Sequence, residues 1–300
     1  MSVKNGQRWI LESLESLAGQ TYRDFEIVLV DDGCTDTTVE LAKSMGIPEL
    51  RVLPGPNEGL ARALALGVRE SRGSLIARQD ADDVSEPSRL DRQVRYLDEH
   101  PNCIAVGSWA TEISESGVVT GIIKAPISDR SVRIRALLFS PMIHPSVTVR
   151  RAAILSVGNY RSPGVQTYAE DYDLWSRLIQ VGEIHNIPEP LIRYRRSATG
   201  ITTISPGEIA VSSSRIAATN LASRLGLQEP APDDVLIVGG YYERLRGVRF
   251  RDAMNLVLRL LRARISFGLH PAPLGLPWWT YIAPLAWVIP ASRQKSRHGD

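Results

Sequence analysis

Apolar residues recur at Ile10, Leu14 and Leu17 with Glu12 and Glu15 between them, which predicts an amphipathic helix over 9–17 that stops at Gly19. The run Phe25-Glu26-Ile27-Val28-Leu29-Val30 then ends abruptly in Asp31-Asp32-Gly33, the pattern of a buried parallel strand opening into a loop. A helix over 38–45, a strand over 50–53, the turn-rich Pro54-Gly55-Pro56-Asn57-Glu58-Gly59 and a helix over 60–70 follow. A strand over 74–78 runs into Asp80-Ala81-Asp82-Asp83. This alternation predicts an α/β fold with a parallel sheet flanked by helices. Further on, the pattern gives a helix over 89–97, a strand over 104–107, a helix over 169–181 opening in Glu170-Asp171, and a strand over 191–195. Beyond Thr203 the chain reads as helical and basic, with Arg259, Arg262 and Arg264 among apolar residues at helical spacing.

Composition adds exclusions. The 300 residues hold 35 Lys+Arg against 33 Asp+Glu, a net charge of +2, which argues against a protein held to nucleic acid by a basic surface. With 43% hydrophobic and 23% charged residues the chain has the material for a packed core. Two cysteines, Cys34 and Cys103, make neither a disulfide framework nor a metal cluster and read as thiols of a reducing compartment. No secretory signal opens the chain, so a cytoplasmic protein is expected.

Two strands end in acidic groups, and ligands of open parallel sheets bind beyond the carboxyl ends of strands. Carboxylates gathered in one crevice repel, so they call for a cation or for ligand hydroxyls. A hard divalent ion, Mg²⁺ or Mn²⁺, shared with a phosphate meets that need. In the segment Asp80-Ala81-Asp82, alternate residues of an extended chain project to one side. Taken alone, the string also suits a helix cap, with Asp83 or Ser85 starting a helix near Pro87.

An ordered set of motifs sharpens the picture. Gln20-Thr21-Tyr22-Arg23-Asp24-Phe25-Glu26, Asp31-Asp32-Gly33-Cys34-Thr35-Asp36, Asn57-Glu58-Gly59-Leu60-Ala61-Arg62 and Ala77-Arg78-Gln79-Asp80-Ala81-Asp82-Asp83 follow one another. His144-Pro145-Ser146, Ala169-Glu170-Asp171-Tyr172-Asp173-Leu174-Trp175 and Pro188-Glu189-Pro190-Leu191-Ile192-Arg193-Tyr194-Arg195 complete the set. Together, over roughly residues 1–205, they resemble the family-two inverting glycosyltransferases. These have a GT-A, Rossmann-like fold with a mixed, mainly parallel sheet, and they use nucleotide-sugar donors.

The resemblance implies that Asp80 and Asp82 hold a divalent cation bridging the donor diphosphate, where it neutralises the charge of the leaving group. It implies that Asn5, Asp31, Asp32, Arg62, Arg78 and Asp80 bind the nucleotide-sugar, a solvated surface place being equally open for Arg62. It implies that Asp171 is the base that removes the acceptor proton, with Glu170 orienting the acceptor or the base. Without the other motifs, both acids would read as favourable charges in a helix first turn. His144 reads equally as a ligand contact or a hydrogen-bonded structural residue; Trp109, Tyr168 and Tyr172 are candidates for shaping the acceptor side, while Trp175 reads as packing.

Three departures stand out. Cys34 replaces the usual Ser, and Ser197 replaces a His often found two residues after the Tyr-Arg pair. Met1 to Gly6 looks like the end of the family's first strand, so either the frame starts upstream of Met1 or the copy is short or impaired.

The expected organisation is therefore a catalytic domain over 1–205 and a helical, basic extension over 206–300. Ile265 to Ser292 contains no Asp, Glu, Lys or Arg, but five prolines interrupt it. Charge-free length, Trp278, Trp279, Tyr281 and Trp287, and flanking basic residues suit contact with the inner face of a membrane; a tail packed on the protein or a partner is the alternative. The expected partners are a nucleotide-sugar, a UDP-sugar first of all in the family's terms, and a glycan, polymer or lipid-linked acceptor, as in cell-envelope polysaccharide synthesis. A non-catalytic nucleotide-sugar-binding or glycan-binding scaffold is the rival reading. A sugar nucleotidyltransferase shares the architecture, but its glycine-rich N-terminal loop is not visible here.

Overall fold

The computed structural model describes residues 1–137, 139–161, 168–197 and 206–224. The tail over 265–300 lies outside them. Strand β1 (Ser2–Val3) and strand β2 (Ile27–Asp31) bracket helix α1 (Ile10–Ala18). Helix α2 (Thr38–Ser44) leads to strand β3 (Leu50–Pro54), and helix α3 (Leu60–Glu70) to strand β4 (Leu75–Ala77). Strands β1, β2 and β3 form a wholly parallel sheet in the order β1-β2-β3.

The burial explains why these segments fold so. β2 is the fully covered centre strand, with Ile27, Val28, Leu29 and Val30 all buried. Ile10, Leu14 and Leu17 turn one face of α1 onto Val3, Ile27 and Leu29, while Glu12 and Glu15 stay outside. The backbone N–H of Gly19 reaches back to Glu15 O at 2.9 Å and closes the helix where the sequence placed its stop. β1, although two residues long, is buried and pairs with β2 through Ser2–Val30 and Val3–Asp31. On its other side Ser2 bridges to Asp80.

Strand β5 (Val84–Ser85), helix α4 (Arg89–Glu99), strand β6 (Cys103–Ile113) and strand β7 (Val119–Ile123) come next, then helix α5 (Asp129–Arg135) and a 3-10 turn over His144–Ser146. Strand β8 (Thr148–Arg150), helix α6 (Arg151–Ser156), helix α7 (Glu170–Leu178), strand β9 (Glu183–Arg195) and helix α8 (Pro206–Arg224) complete the described chain. The second sheet runs β4-β8-β6-β9-β5, with β7 on β6. β6 and β9 are parallel, whereas β4–β8, β6–β8, β6–β7 and β5–β9 are antiparallel.

Both long strands exceed their sequence expectation, 104–107 and 191–195. Pro188 and Pro190 look like strand breakers, but they fall where the β6–β9 register shifts around Trp109, so a bulge absorbs them. The largest core cluster lies between this sheet and helices α3, α5, α6 and α7, around Leu64, Val147, Ile154, Leu174, Trp175 and Ile184. Trp175 is fully buried there, the packing role its place on an amphipathic helix implies. Helix α8 docks on this body through Asn220 Nδ2, which donates to Ala136 O and Ser176 Oγ at 2.8 Å each. No helix among the described residues is long and apolar enough to cross a membrane.

Gly107, midway along β6, marks how tightly the spine is packed. A Cβ there would lie 2.2 Å from Asn186 Oδ1 and 2.9 Å from Met142 Cε. Asn186 cannot swing away freely, because its Nδ2 donates to Pro126 O at 2.7 Å. Gly107→Ala is therefore expected to destabilise the fold by about 1–3 kcal/mol, read as a lower urea midpoint at unchanged slope. An unchanged midpoint contradicts this packing.

Candidate active site

The first group of the site lies at the carboxyl ends of the parallel strands β1 and β2. At the end of β2, Asp31 Oδ1 accepts the Cys34 N–H at 2.7 Å, turning the chain. Asp32 is buried; its Oδ2 accepts the Gly59 N–H at 3.0 Å, tying this turn to the start of α3. Its other oxygen, Oδ1, is buried without a hydrogen-bond partner among the described residues. Gly33 sits at φ +85°, and a Cβ there would strike Asn57 Oδ1 at 2.6 Å, so a side chain is excluded by backbone and by space. Asn5, also at positive φ, accepts the Thr35 N–H at 2.8 Å. Asn5, Asp31 and Asp32 thus form one shelf, from strand β1 to the mouth of α3.

The second group stands beside it because Ser2 of β1 bridges Asp80. Asp80, Asp82 and Asp83 each bring a carboxylate oxygen within 4.8 Å of the others. Arg78, almost fully buried, forms an ion pair with Asp80, which keeps its guanidinium charged against the cost of burial. Burial and the Asp80 charge push the Asp82 carboxyl up to about 6, Arg78 and Arg195 pulling the other way. Asp83 is driven well upward by burial, Asp80 and Asp82. Its Oδ1 accepts the Arg195 N–H at 2.8 Å, while its buried Oδ2 has no partner among the described residues. An all-carboxylate donor set, crowded enough to resist full ionisation and with a buried oxygen to spare, fits a hard divalent cation.

The third group opens α7. Asp171 Oδ2 accepts the Ser140 hydroxyl at 3.0 Å, and Glu170 Oε1 lies 4.0 Å from His144 Nδ1. His144 Nε2 is 2.8 Å from the Tyr160 hydroxyl, and its ring meets Trp175 edge-on. Burial, then Arg78, holds His144 well below the usual imidazole range, so it is neutral at physiological pH. Burial and Asp171 push Glu170 up to about 7, while Arg78 pulls it down and Asp80 pushes it further up. Burial raises Asp171 too, opposed by the Tyr172 N–H, the Ser140 hydroxyl and Arg78. Arg78 therefore acts on both acidic groups, although they lie some ninety positions apart in the chain.

Of the residues expected at the site, Asn5, Asp31 and Asp32 form the shelf, Asp80 and Asp82 the acidic turn paired with Arg78, and Glu170 and Asp171 the start of α7 within electrostatic reach of Arg78. Arg62 stands apart, exposed on the first turn of α3 and paired with Glu58 at 3.4 Å. Sequence reasoning did not assign Asp83, Ser140, Tyr160 or Arg195. The adjacency of Asp83 to the Asp-Ala-Asp string and the place of Arg195 in the last motif were the available signals; Ser140 and Tyr160 carried none.

Comparison with known proteins gives the family and the fold. Residues 1–155 match the family described as glycosyl transferase family 2. The putative glycosyltransferase EpsE of Bacillus subtilis (strain 168) is 30% identical over 203 residues, 66% of this chain and 72% of that protein. The amylovoran biosynthesis glycosyltransferase AmsE of Erwinia amylovora is 31% identical over 188 residues, 61% of this chain and 69% of that protein. Among solved structures, S. aureus TarS 1–349 in complex with UDP-GlcNAc superposes with a TM-score of 0.60 at 16% identity, over 87% of this chain and 80% of that one. The mannosyltransferase PcManGT from Pyrobaculum calidifontis, in complex with GDP-Man and Mn2+, gives 0.53 at 15% identity, over 96% and 83%. At those identities the structures speak for the fold.

The electrostatics give a pH test. Glu170 titrates from 4.5 in an ordinary environment up to about 7 in the fold, so folding takes up a proton between those values. Stability of the metal-free chain should therefore fall as pH rises from about 4.5 to about 7, and Glu170→Gln should make that slope shallower. Urea midpoints measured across this range check it; an equal slope in the variant contradicts the assignment.

Proposed function

The chain belongs to glycosyl transferase family 2, and on that premise we propose that it moves a sugar from a nucleotide-sugar, a UDP-sugar first of all, to an acceptor hydroxyl with inversion. The observation that carries the proposal is the meeting of two acidic sets from distant segments, Asp80-Asp82-Asp83 and Glu170-Asp171, around the buried Arg78 guanidinium.

In this reading Asn5, Asp31 and Asp32 receive the nucleoside. The unpartnered Asp32 Oδ1 is an acceptor suited to a base N–H or a ribose hydroxyl. Asp80 and Asp82, with Asp83 beside them, would hold Mg²⁺ or Mn²⁺. When bound, such a cation supplies charge stabilisation to the departing diphosphate. Arg78, already beside Asp80, adds a fixed positive charge on the same side. Arg62 is exposed and half a turn into α3, where an extended diphosphate could recruit it from Glu58.

Across the crevice, Asp171 takes the proton from the acceptor hydroxyl as that oxygen bonds to the anomeric carbon. The bond from that carbon to the diphosphate oxygen breaks on the opposite face, which inverts the configuration. Ser140 donates to Asp171 and the α7 N-terminus opposes the upward pull of burial on its carboxyl, so the base is held in place. Glu170, with a raised affinity for its proton beside the neutral His144, serves as a hydroxyl-binding neighbour of the base.

The relatives named above point to the acceptor class. AmsE is described as an amylovoran biosynthesis enzyme, and a glycan, polymer or lipid-linked hydroxyl is the acceptor we propose here. The protein would work on the cytoplasmic face of the membrane, with the 265–300 segment as its contact.

Asp171→Asn should lower transfer by about 10²–10⁴-fold. Donor affinity should stay within about threefold of the parent, read by titration calorimetry with UDP-sugars and Mn²⁺, because Asp171 faces the acceptor proton rather than the diphosphate. Near-parental turnover removes Asp171 from the base role, and parental activity with metal chelated removes the cation from the proposal.

A further inference from the structure

The side chain of Arg195, at the end of β9, is 2% exposed yet spends its donors on three separate segments. Nε donates to Asp82 O at 2.8 Å. Nη1 donates to Glu115 O at 3.1 Å and Ser114 O at 3.4 Å, in the turn between β6 and β7. Nη2 meets Glu12 Oε2 of α1 at 2.6 Å. Its own backbone N–H holds Asp83 Oδ1 at 2.8 Å. The Trp9 ring lies 5.7 Å from the guanidinium carbon, and Arg8 clamps the same turn through Glu115 at 2.7 Å.

Burying a guanidinium mainly on carbonyl oxygens is costly, and a single half-exposed carboxylate is a weak counter-charge. A structural brace alone would be served as well by apolar packing. What singles out this arrangement is its target. Residue 195 grips the Asp82–Asp83 turn twice, once at the carbonyl of one acid and once at the carboxylate of the next. It fixes one oxygen of Asp83 and leaves the other, buried Oδ2, free of partners among the described residues. The Asp83 bond is made by the main chain; the planar fork of the side chain spans Asp82 O, Glu115 O and Glu12 Oε2 at once, which an ammonium cannot.

We infer that Arg195 is a positioning residue that holds the Asp82–Asp83 turn in its cation-binding shape by anchoring it to α1 and to the β6–β7 turn. This rests on the reading of Asp80, Asp82 and Asp83 as cation ligands. Partners behind metal ligands orient them, and their loss characteristically weakens binding by about 10–100-fold.

The test is calorimetric titration of Mn²⁺ alone into the full chain, well below each variant's melting midpoint. Arg195→Lys and Arg195→Met should weaken Mn²⁺ by about tenfold or more, the Lys variant less than the Met variant. Glu12→Ala, on a half-exposed helix position, should weaken it in the same direction by a smaller factor. A purely structural role would lower the melting midpoint and leave Mn²⁺ affinity at the parental value. Parental affinity in the Arg195 variants, while Asp82→Asn loses binding, overturns the inference. Should the Arg195 variants fail to fold, Glu12→Ala decides: weakened Mn²⁺ supports the anchor and parental affinity overturns it. If Asp82→Asn binds Mn²⁺ like the parent, the cation-site reading itself fails, and the anchor with it.

Discussion

Everything at the site depends on one buried positive charge. Arg78 sits under the crevice, paired with Asp80, and pulls Asp82, Asp83, Glu170 and Asp171 toward their ionised forms against burial and mutual repulsion. Remove that guanidinium, and the two remote acidic segments lose the positive charge that acts on both, with Arg195 left beside Asp82. Burial, with the same charge in second place, keeps His144 neutral, so Glu170 faces a hydrogen-bonding ring rather than a competing cation. The balance is deliberately incomplete. Asp82 and Asp83 keep raised proton affinity and Asp83 keeps a buried oxygen without a partner among the described residues, which suits the cation proposed above.

The fold supplies the geometry that makes this balance possible. β1, though only two residues, threads between β2 and Asp80, and so sets the Asn5-Asp31-Asp32 shelf next to the acidic turn. The antiparallel pairing of β4 with β8 brings the His144 turn under Arg78, whose N–H bonds to Val147 O at 2.8 Å. β9 then carries Arg195 back across the sheet to the same acidic turn. The shelf and the acidic turn are thus placed by strand ends, and the Glu170-Asp171 pair by the start of α7.

Much of this was legible in the sequence, for a physical reason. Strands that are buried on both faces read as apolar runs, and acids at their ends stand out against them. Asp31-Asp32 and Asp80-Ala81-Asp82 were found in that way, Glu170-Asp171 through the family resemblance, and the helices over 10–18, 60–70 and 89–99 through their 3.6-residue periodicity. The second sheet was less legible. β7 exposes Val119 and Ile122, β8 is three residues long, and β9 carries two prolines, so none shows a clean period. Arg195 was invisible as an anchor because its acceptors are backbone carbonyls and acids 80 to 183 positions away, and carbonyls leave no mark in a sequence. Ser140 and Tyr160 were hidden for the same reason: their value lies in a contact across the fold.

The central claim, that the two acidic sets face each other across one crevice with a cation on the Asp80–Asp83 side, is open to direct observation. Crystals of the full chain grown with Mn²⁺ and a nucleoside diphosphate, measured at the manganese edge, should show one anomalous peak about 2.0–2.2 Å from an Asp80 or Asp82 oxygen. The Asp171 carboxylate should lie on the opposite wall, with room for a hexose between. A diphosphate bound with the manganese peak elsewhere, or with Asp171 turned away from it, would contradict the account.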